Sequence, residues 1–181
     1  MKTGALPLTP IDSETARSPL PVEGPRHHLV VLYDEYIDKM LDGRKQIECR
    51  LSLVRRAPYE TVRSGDILWF KPPSRPIRAM ARAGACRFVK LDRPHDVGGI
   101  ASTYNELIAA PAEFFASAAS WARYVSLIWI DWVMAISPLA VAKRDQRSWV
   151  VLDGPPSPGK FIGPVESSQR GEPAQTRSQP R

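Results

Sequence analysis

Proline divides this chain into a central part that can form regular structure and two ends that resist it. Five of the 18 prolines lie in residues 1–26 and six lie in residues 154–181. Proline lacks a backbone N–H, so helices and strand ladders tolerate it poorly. Segments of this composition also bury too little apolar surface to offset the entropy lost on ordering. The sequence therefore predicts a disordered proline-rich N-terminal tail (1–26), a folded domain (27–153) and a disordered proline- and glycine-rich C-terminal tail (154–181).

The central part alternates strand patterns with helical patterns, which is typical of a single α+β domain. Alternating apolar and polar residues predict strands, and apolar residues spaced three or four apart predict helices. Pro111 interrupts the second helical segment. The predicted strands cover residues 28–32, 46–53, 66–71, 77–91, 124–136 and 148–152, and the predicted helices cover residues 33–41 and 103–120.

The third predicted strand indicates how the sheet curls. A face of small side chains is formed by its alternate positions Ile77, Ala79, Ala81, Ala83 and Ala85. Such a face suits the narrow interior of a small barrel. Gly84 lies within this strand and predicts a bend or bulge. We therefore expect a small β-barrel with flanking helices.

The cysteines and the first residues favour a cytoplasmic protein. Cys49 and Cys86 are the two thiols, and neither belongs to a CxxC pair or lies near a pair of histidines. Their spacing predicts neither a disulfide framework nor a metal site. Pro7 and Pro10 interrupt the apolar residues at the start, so no secretory signal is predicted.

An apolar run at residues 124–142 is long enough to raise the question of a membrane span. Asp131 lies in its middle and Pro138 interrupts it. Valine, isoleucine and tryptophan dominate the run, and these residues favour strands. We interpret the run as buried strands, and no membrane association is predicted.

A cluster of charged residues follows the first predicted helix and is the strongest functional signal in the chain. Gly43 predicts a left-handed end to that helix. Strand alternation then places Glu48 and Arg50 on one face. Lys45 can join them only if the turn after Gly43 is irregular. Unpaired charges are costly to bury, so these three side chains either pair with one another or bind a polar ligand.

Positive charge is concentrated in one part of the chain. Residues 44–93 contain 13 lysines and arginines against four acidic residues, whereas residues 27–43 and 94–153 are slightly acidic. Phosphate backbones are natural partners for such a surface. Arg78 and Arg82 alternate along the third strand and are candidate contacts. The alternative that these arginines pair with acids of the preceding helix stays open.

The order of these residues resembles the ASCH domain of the PUA-like superfamily. The resemblance rests on a helix ending in Gly-x-Lys, on Glu-x-Arg in the following strand and on a Gly-Asp turn before the next strand. The motif positions are Gly43, Lys45, Glu48, Arg50, Gly65 and Asp66. The resemblance covers residues 28–91 best. The resemblance implies a small β-barrel with a cleft near the helix-to-strand turn, and related domains bind RNA or, in some cases, DNA.

The same resemblance leaves an enzymatic alternative open. Some small ASCH proteins are proposed to be ribonucleases or amidohydrolases of acetylated cytidine, and the amidohydrolases use a lysine, a threonine nucleophile and a glutamate. Here the third position after Lys45 is Glu48 and not threonine. The alternative is therefore a hydrolase of a modified nucleoside or RNA in which Lys45 and Glu48, the candidate catalytic residues, act as base and acid partners on a water molecule.

The leading prediction is an RNA- or nucleotide-binding module with a basic cleft at the helix-to-strand turn, with DNA as the other nucleic acid partner and with no cofactor. Ligand contacts are expected from Gly43, Lys45, Glu48, Arg50, Arg78 and Arg82. Either base stacking or core packing is expected of Tyr36, Trp69, Trp129, Trp132 and Trp149. No histidine pairs recognisably with a nucleophile. A third alternative is a protein-interaction module whose proline-rich tails recruit partners.

Overall fold

The computed structural model describes residues 24–144, 146–159 and 161–162. Three α-helices and eight strands follow one another in this part of the chain, and a short 3-10 turn (Pro94–Asp96) precedes the second helix. In chain order the elements are β1 (His27–Val31), α1 (Asp34–Leu41), β2 (Ile47–Ser52), β3 (Ile67–Lys71), β4 (Ile77–Lys90), α2 (Val97–Ile108), α3 (Ala112–Ala118), β5 (Tyr124–Leu139), β6 (Ala142–Lys143), β7 (Trp149–Leu152) and β8 (Phe161–Ile162).

Six of the strands form one mixed sheet in the order β2-β5-β4-β3-β1-β7. β1 runs parallel to β3, and the other neighbours in this sheet are antiparallel. The sheet curls into a half-barrel whose two edges are β2 and β7. The predicted α+β class with flanking helices is therefore confirmed. The predicted barrel is present as a curled sheet that keeps two edges.

The interior of the half-barrel contains the small-residue face of β4, as the alternation predicts. Ile77, Ala79, Ala81 and Ala83 are fully buried. Ala85, predicted on the same face, is exposed. The reason is a register shift between Ala83 and Cys86, where β4 holds one residue more than β5. The predicted irregularity at Gly84 is confirmed, and it reverses the alternation after that point.

Helices α2 and α3 cover the outer face of β2 and β5. Ile108 and Phe115 pack there with Ile47, Cys49 and Leu127. Pro111 separates the two helices, as predicted. Helix α2 begins at Val97, six residues before the predicted start at residue 103. Two glycines in its first turn lower the helix propensity and conceal this start in the sequence.

Strand β5 continues through Ser137 and Pro138 to Leu139, although Pro138 predicts an interruption there. The pairing with β4 is irregular at this point, and a proline is tolerated because a bulge leaves its position without a ladder hydrogen bond. The run from residue 124 is thus one strand. The prediction that it is buried holds only for residues 125–128, because the strand extends beyond the core and leaves Asp131, Trp132 and Met134 exposed. None of the described helices is both long enough and apolar enough to cross a membrane.

The described residues extend on both sides of the predicted domain of residues 27–153. The Arg26 N–H donates to Asp66 Oδ1 at 3.0 Å, and the Arg26 carbonyl accepts from the Ile67 N–H at 2.9 Å. At the other end β8 pairs with β6, and Ile162 is buried. These contacts depend on partners distant in sequence, so local composition does not reveal them. The rest of both predicted tails, residues 1–23, 160 and 163–181, lies outside the described residues.

Candidate ligand-binding cleft

The turn after α1 brings Lys45 to the same side of the chain as the polar face of β2. Gly43 has a φ of +80°, the left-handed conformation expected of it, and its N–H donates to Met40 O at 3.1 Å. The Lys45 N–H then donates to Lys39 O at 2.7 Å, which turns the chain back along the helix. The irregular turn that the prediction requires is therefore present.

Lys45, Glu48 and Arg50 converge on one another. Lys45 Nζ lies 3.3 Å from Glu48 Oε2, and Arg50 Nε donates to Glu48 Oε1 at 2.7 Å. The exposed fractions of the three side chains are 5%, 2% and 19%. One buried carboxylate thus lies between two cations, and Arg50 is the member of the group nearest to solvent.

Two of the three hydrogen-bond donors of Lys45 are engaged within the protein. Its Nζ donates to the carbonyl oxygens of Ile47 and Ile108, both at 2.9 Å, in addition to the ion pair with Glu48. An ammonium group has three N–H donors. Lys45 therefore connects the end of α2 to the start of β2, and two of its three donors are used by these backbone contacts.

Arg50 retains donors. Its Nη2 donates to Val31 O at 2.9 Å, and its guanidinium carbon lies 5.6 Å from the centre of the Trp149 ring, a cation–π contact. Among the residues that the structure describes, no group accepts a hydrogen bond from Nη1. Because Glu48, Val31 and Trp149 fix the guanidinium plane, Nη1 is presented in a defined direction.

The second carboxylate oxygen of Glu48 has an unusual environment. Oε2 is buried and accepts no hydrogen bond among the described residues. The nearby Lys45 compensates its charge at 3.3 Å, but the lysine protons are directed to the two carbonyl oxygens. A buried acceptor without a donor costs free energy, so this oxygen is a favourable position for a donor group.

These charged side chains form the polar end of a cleft of about 500 Å³. The cleft lies between β2, the end of β1 and the residues that follow α2. Its walls are largely apolar and include four aromatic side chains, Tyr33, Tyr36, Phe114 and Trp121. Tyr33 and Trp121 are exposed. A polar end with aromatic walls is the usual composition of a site for a flat, partly polar ligand.

The aromatic residues proposed for base stacking have different positions. Tyr36 lines the cleft, and Trp149 is buried under Arg50. Trp69 hydrogen-bonds His27, and Trp129 packs edge-on against Tyr104. Trp132 lies in a separate hollow together with Arg82. The prediction omits three cleft aromatics, Tyr33, Phe114 and Trp121, because only the tertiary packing of α3 brings the last two to β2.

The other predicted ligand contacts lie outside the cleft. Gly43 shapes the turn but is not a lining residue. Arg78 Nε lies 2.7 Å from Asp34 Oδ1, and its Nη2 lies 2.7 Å from Asp38 Oδ1. The predicted alternative, pairing with acids of the preceding helix, thus describes Arg78. Arg82 lies 3.7 Å from Asp131 and belongs to the hollow beside Trp132.

A buried polar chain that the sequence does not predict supports Arg50 from within the half-barrel. His28 Nε2 lies 2.9 Å from Asp66 Oδ2, and Trp149 Nε1 donates to His28 Nδ1 at 3.1 Å. Because the tryptophan N–H occupies Nδ1, the proton of the neutral ring is on Nε2 and is donated to Asp66. The chain runs from the Gly65-Asp66 turn through His28 to the ring on which Arg50 rests.

The histidines at the start of β1 predict an acid-sensitive fold. Burial lowers the pKa of His28 below its ordinary value of 6.5, although the Asp66 hydrogen bond raises it, and burial also lowers the pKa of the less enclosed His27. Below pH 6.5 the unfolded chain therefore binds more protons. We expect the free energy of unfolding to fall as the pH decreases from about 7 to about 5, by up to ~1.4 kcal/mol per pH unit for His28, with a smaller contribution from the less enclosed His27.

Urea denaturation at a series of pH values measures this effect. His28→Gln, which keeps a donor and an acceptor, should show a shallower slope than the parent protein. The exposed His95 supplies the matched control, and His95→Gln should keep the parent slope. A parent protein whose stability is constant between about pH 7 and 5 would contradict the prediction.

The arrangement of strands and helices matches solved structures of an ASCH protein. The crystal structure of a tyrosine-to-phenylalanine variant of ZmASCH from Zymomonas mobilis matches with a TM-score of 0.50, covering 62% of this chain and 74% of that chain. A serine-to-alanine variant of the same protein also matches with a TM-score of 0.50, covering 62% and 72%. The chain has an ASCH-like fold. The predicted resemblance to the ASCH domain is confirmed at the level of the fold.

Sequence identity to both ASCH structures is 16%. No protein-family model matches the chain, and no curated protein matches it. The similarity to ASCH structures therefore lies in the arrangement of strands and helices.

Proposed function

We propose that this ASCH-like domain binds RNA or a nucleotide, with one base in the aromatic cleft. The observation that carries the proposal is the guanidinium of Arg50, which is fixed by Glu48, Val31 and Trp149 and keeps its Nη1 donors available at the polar end of the cleft. Base edges present carbonyl and ring-nitrogen acceptors that suit such donors.

The aromatic walls suit the flat faces of a base. Tyr33 and Trp121 are exposed at the cleft, and Tyr36 and Phe114 complete its sides. Stacking of a base on an aromatic side chain contributes about 1–3 kcal/mol and does not depend strongly on sequence. In this arrangement Arg50 and the nearby Glu48 carboxylate supply the polar recognition, and the walls supply most of the affinity.

Lys45 has a positioning role in this proposal. Two of its donors are directed to Ile47 and Ile108, and its ammonium group lies 3.3 Å from Glu48 Oε2, so its role is to hold the carboxylate in place. This differs from the predicted ligand contact at Lys45. These hydrogen bonds are also unfavourable for Lys45 as a catalytic base, because they are made by N–H donors of its amine and a base needs a free lone pair.

The nearby thiol is also a poor candidate for catalysis. Cys49 lines the cleft, and burial, followed by the Glu48 carboxylate, raises the pKa of its thiol to about 12. A thiol protonated at neutral pH is not a nucleophile. The arrangement therefore favours binding over hydrolysis. Turnover of acetylated cytidine or of RNA during long incubation with the protein would restore the enzymatic alternative.

The surface charge gives this proposal less support than its sequence distribution predicts. Arg75 and Arg78 both pair with Asp34, and Arg78 also pairs with Asp38. Exposed pairs of this kind reduce the positive field near α1. We therefore place the recognition in the cleft and assign the surrounding basic residues a secondary role in attracting phosphates.

Replacement of Arg50 should weaken binding of single-stranded RNA. We expect Arg50→Gln to reduce affinity for short RNA oligomers about tenfold or more, because hydrogen bonds from a charged donor contribute about 1.5–3 kcal/mol. Fluorescence anisotropy with labelled oligomers of each base measures the change. Arg44→Gln removes the same charge from an exposed arginine outside the cleft, paired with Asp42, and should change affinity little.

Two further measurements separate the explanations of a loss. Arg50→Lys keeps the charge but not the planar fork, so it should also bind weakly, whereas a purely electrostatic role would spare it. Thermal unfolding of each variant shows whether the fold is intact. Equal affinity of the Arg50 and Arg44 variants, or no binding of any RNA oligomer, would overturn the proposal. DNA oligomers of the same sequences test the alternative nucleic acid.

A further inference from the structure

A second hollow lies beside the aromatic cleft at the ends of β1 and β3. Its volume is about 480 Å³, and it shares Val31 and Pro73 with the cleft. The charged residues among its described lining are all basic, namely Lys71, Arg75 and Lys143. The cleft and this hollow therefore differ in chemistry although they adjoin: one is aromatic, and the other is cationic.

Lys71 is the buried member of this basic group. It is 8% exposed although it carries an ammonium group. In the part of the chain that the structure describes, its one hydrogen-bond acceptor is Pro72 O at 3.3 Å, which leaves two of its donors for another group. Burial, followed by the charge of Lys143, lowers the pKa of the Lys71 amine. Lys143 lines the same hollow. An anion placed there would stabilise the buried Lys71 ammonium.

Backbone contacts at the end of β1 connect this hollow to Arg50. Val31 is paired with Lys71 in the parallel β1–β3 ladder, and the Lys71 carbonyl accepts from the Leu32 N–H at 3.1 Å. The carbonyl of the same Val31 accepts from Arg50 Nη2. Neighbouring strands are about 4.8 Å apart. A ligand no larger than a nucleotide can therefore contact both the Arg50 end of the cleft and the Lys71 hollow.

We propose that the hollow formed by Lys71, Arg75 and Lys143 binds a phosphate group of the nucleotide whose base occupies the cleft. This assignment rests on the proposed function and extends it by naming the second half of the ligand. Lys71 supplies the buried charge and the hydrogen-bond donors, and Lys143 adds positive charge to the lining of the hollow. Arg75 is exposed and bonded to Asp34 at 3.0 Å, so its part is limited to the rim.

The test compares ligands that differ only in phosphate. Calorimetric titration measures the affinity for adenosine, guanosine, cytidine and uridine, for their 5′- and 3′-monophosphates and for dinucleoside monophosphates, at constant ionic strength. We expect a monophosphate to bind about tenfold more tightly than its nucleoside, which corresponds to ~1.4 kcal/mol. The dinucleoside monophosphates distinguish an internal RNA phosphodiester from a terminal phosphate.

Variants locate this preference. Lys71→Gln with Lys143→Gln should remove most of the difference between nucleoside and monophosphate and leave nucleoside affinity unchanged. Lys90→Gln removes one charge at an exposed position of β4 outside both hollows and is the matched control for Lys143→Gln alone. Because Lys71 is buried, Lys143→Gln alone provides a milder variant. Titration of the parent protein with inorganic phosphate, followed by NMR of the lysine side chains, tests the hollow directly.

Each outcome decides a separate claim. Nucleoside binding without any gain from phosphate would overturn the phosphate site and leave the base cleft standing. A phosphate-induced shift of the Lys71 resonances without nucleoside binding would support the phosphate site and overturn the proposed function. No response to nucleosides, monophosphates or inorganic phosphate would overturn both. An equal loss of monophosphate affinity in Lys90→Gln would show that the effect is general charge and would also overturn the phosphate site.

Discussion

Glu48→Ala should lower the free energy of unfolding by about 3–5 kcal/mol, the usual result of removing one partner from a buried ion pair. The carboxylate lies between Lys45 and Arg50 and is 2% exposed. Its removal leaves Lys45 buried near two carbonyl oxygens with no counter-ion, and it frees Arg50 Nε from its acceptor. Urea denaturation followed by circular dichroism measures the loss.

Two companion variants make this result specific. Glu106→Ala removes an exposed glutamate of α2 and should change the stability by less than about 0.5 kcal/mol. Lys45→Met combined with Glu48→Leu removes the pair as a unit, and its loss should be smaller than that of Glu48→Ala because no charge is left alone. A Glu48→Ala protein as stable as the Glu106 control would show that the two cations do not need this carboxylate.

Asp66→Ala should have the second largest effect, a loss of about 2–4 kcal/mol, because one carboxylate satisfies three donors. Its oxygens accept from His28 Nε2 at 2.9 Å, from the Arg63 N–H at 2.8 Å and from the Arg26 N–H at 3.0 Å. His28 is fully buried, so its donor cannot turn to bulk water. The loss should appear in urea denaturation at neutral pH.

The control for this variant is the exposed Asp92, whose replacement by alanine should be nearly neutral. Asp66→Asn keeps an acceptor oxygen and should recover part of the stability. If Asp66→Ala unfolds at the same urea concentration as Asp92→Ala, the carboxylate does not organise the start of β1. In that case the hydrogen bonds of His28 and Arg26 contribute little net stability.

The local parts of the site follow from the sequence. Gly43 ends α1 in the left-handed conformation, and strand alternation places Glu48 and Arg50 on one face, as their spacing predicts. The bulge at Gly84 follows from a glycine within a long strand. In each case the deciding interactions involve residues close in sequence, which is the range over which propensity and periodicity are informative.

The remaining features depend on contacts between distant segments. The engagement of Lys45 requires the carbonyl of Ile108, 63 residues further along the chain. The aromatic walls require α3 to pack beside β2, which brings Phe114 and Trp121 to the cleft. Periodicity gives no information on such pairings. The sequence therefore predicts six ligand contacts, of which only Lys45, Glu48 and Arg50 line the cleft.

His28 illustrates the same limit at a single position. It stands at the boundary of a proline-rich segment, where its sequence neighbours give no sign of burial. The acceptor of its proton, Asp66, and the donor to its other nitrogen, Trp149, are 38 and 121 residues away. A histidine bonded on both sides is a structural element of this fold, and neither partner is evident without the strand order.

The side chain of Arg50 extends from one margin of the curled sheet to the other. It originates on β2, donates to the last residue of β1 and covers the indole of Trp149 on β7. A ligand that binds this guanidinium therefore contacts a side chain that connects the two edge strands of the sheet, β2 and β7. We therefore expect a ligand bound in the cleft to increase the protection of the β7 backbone amides against hydrogen exchange.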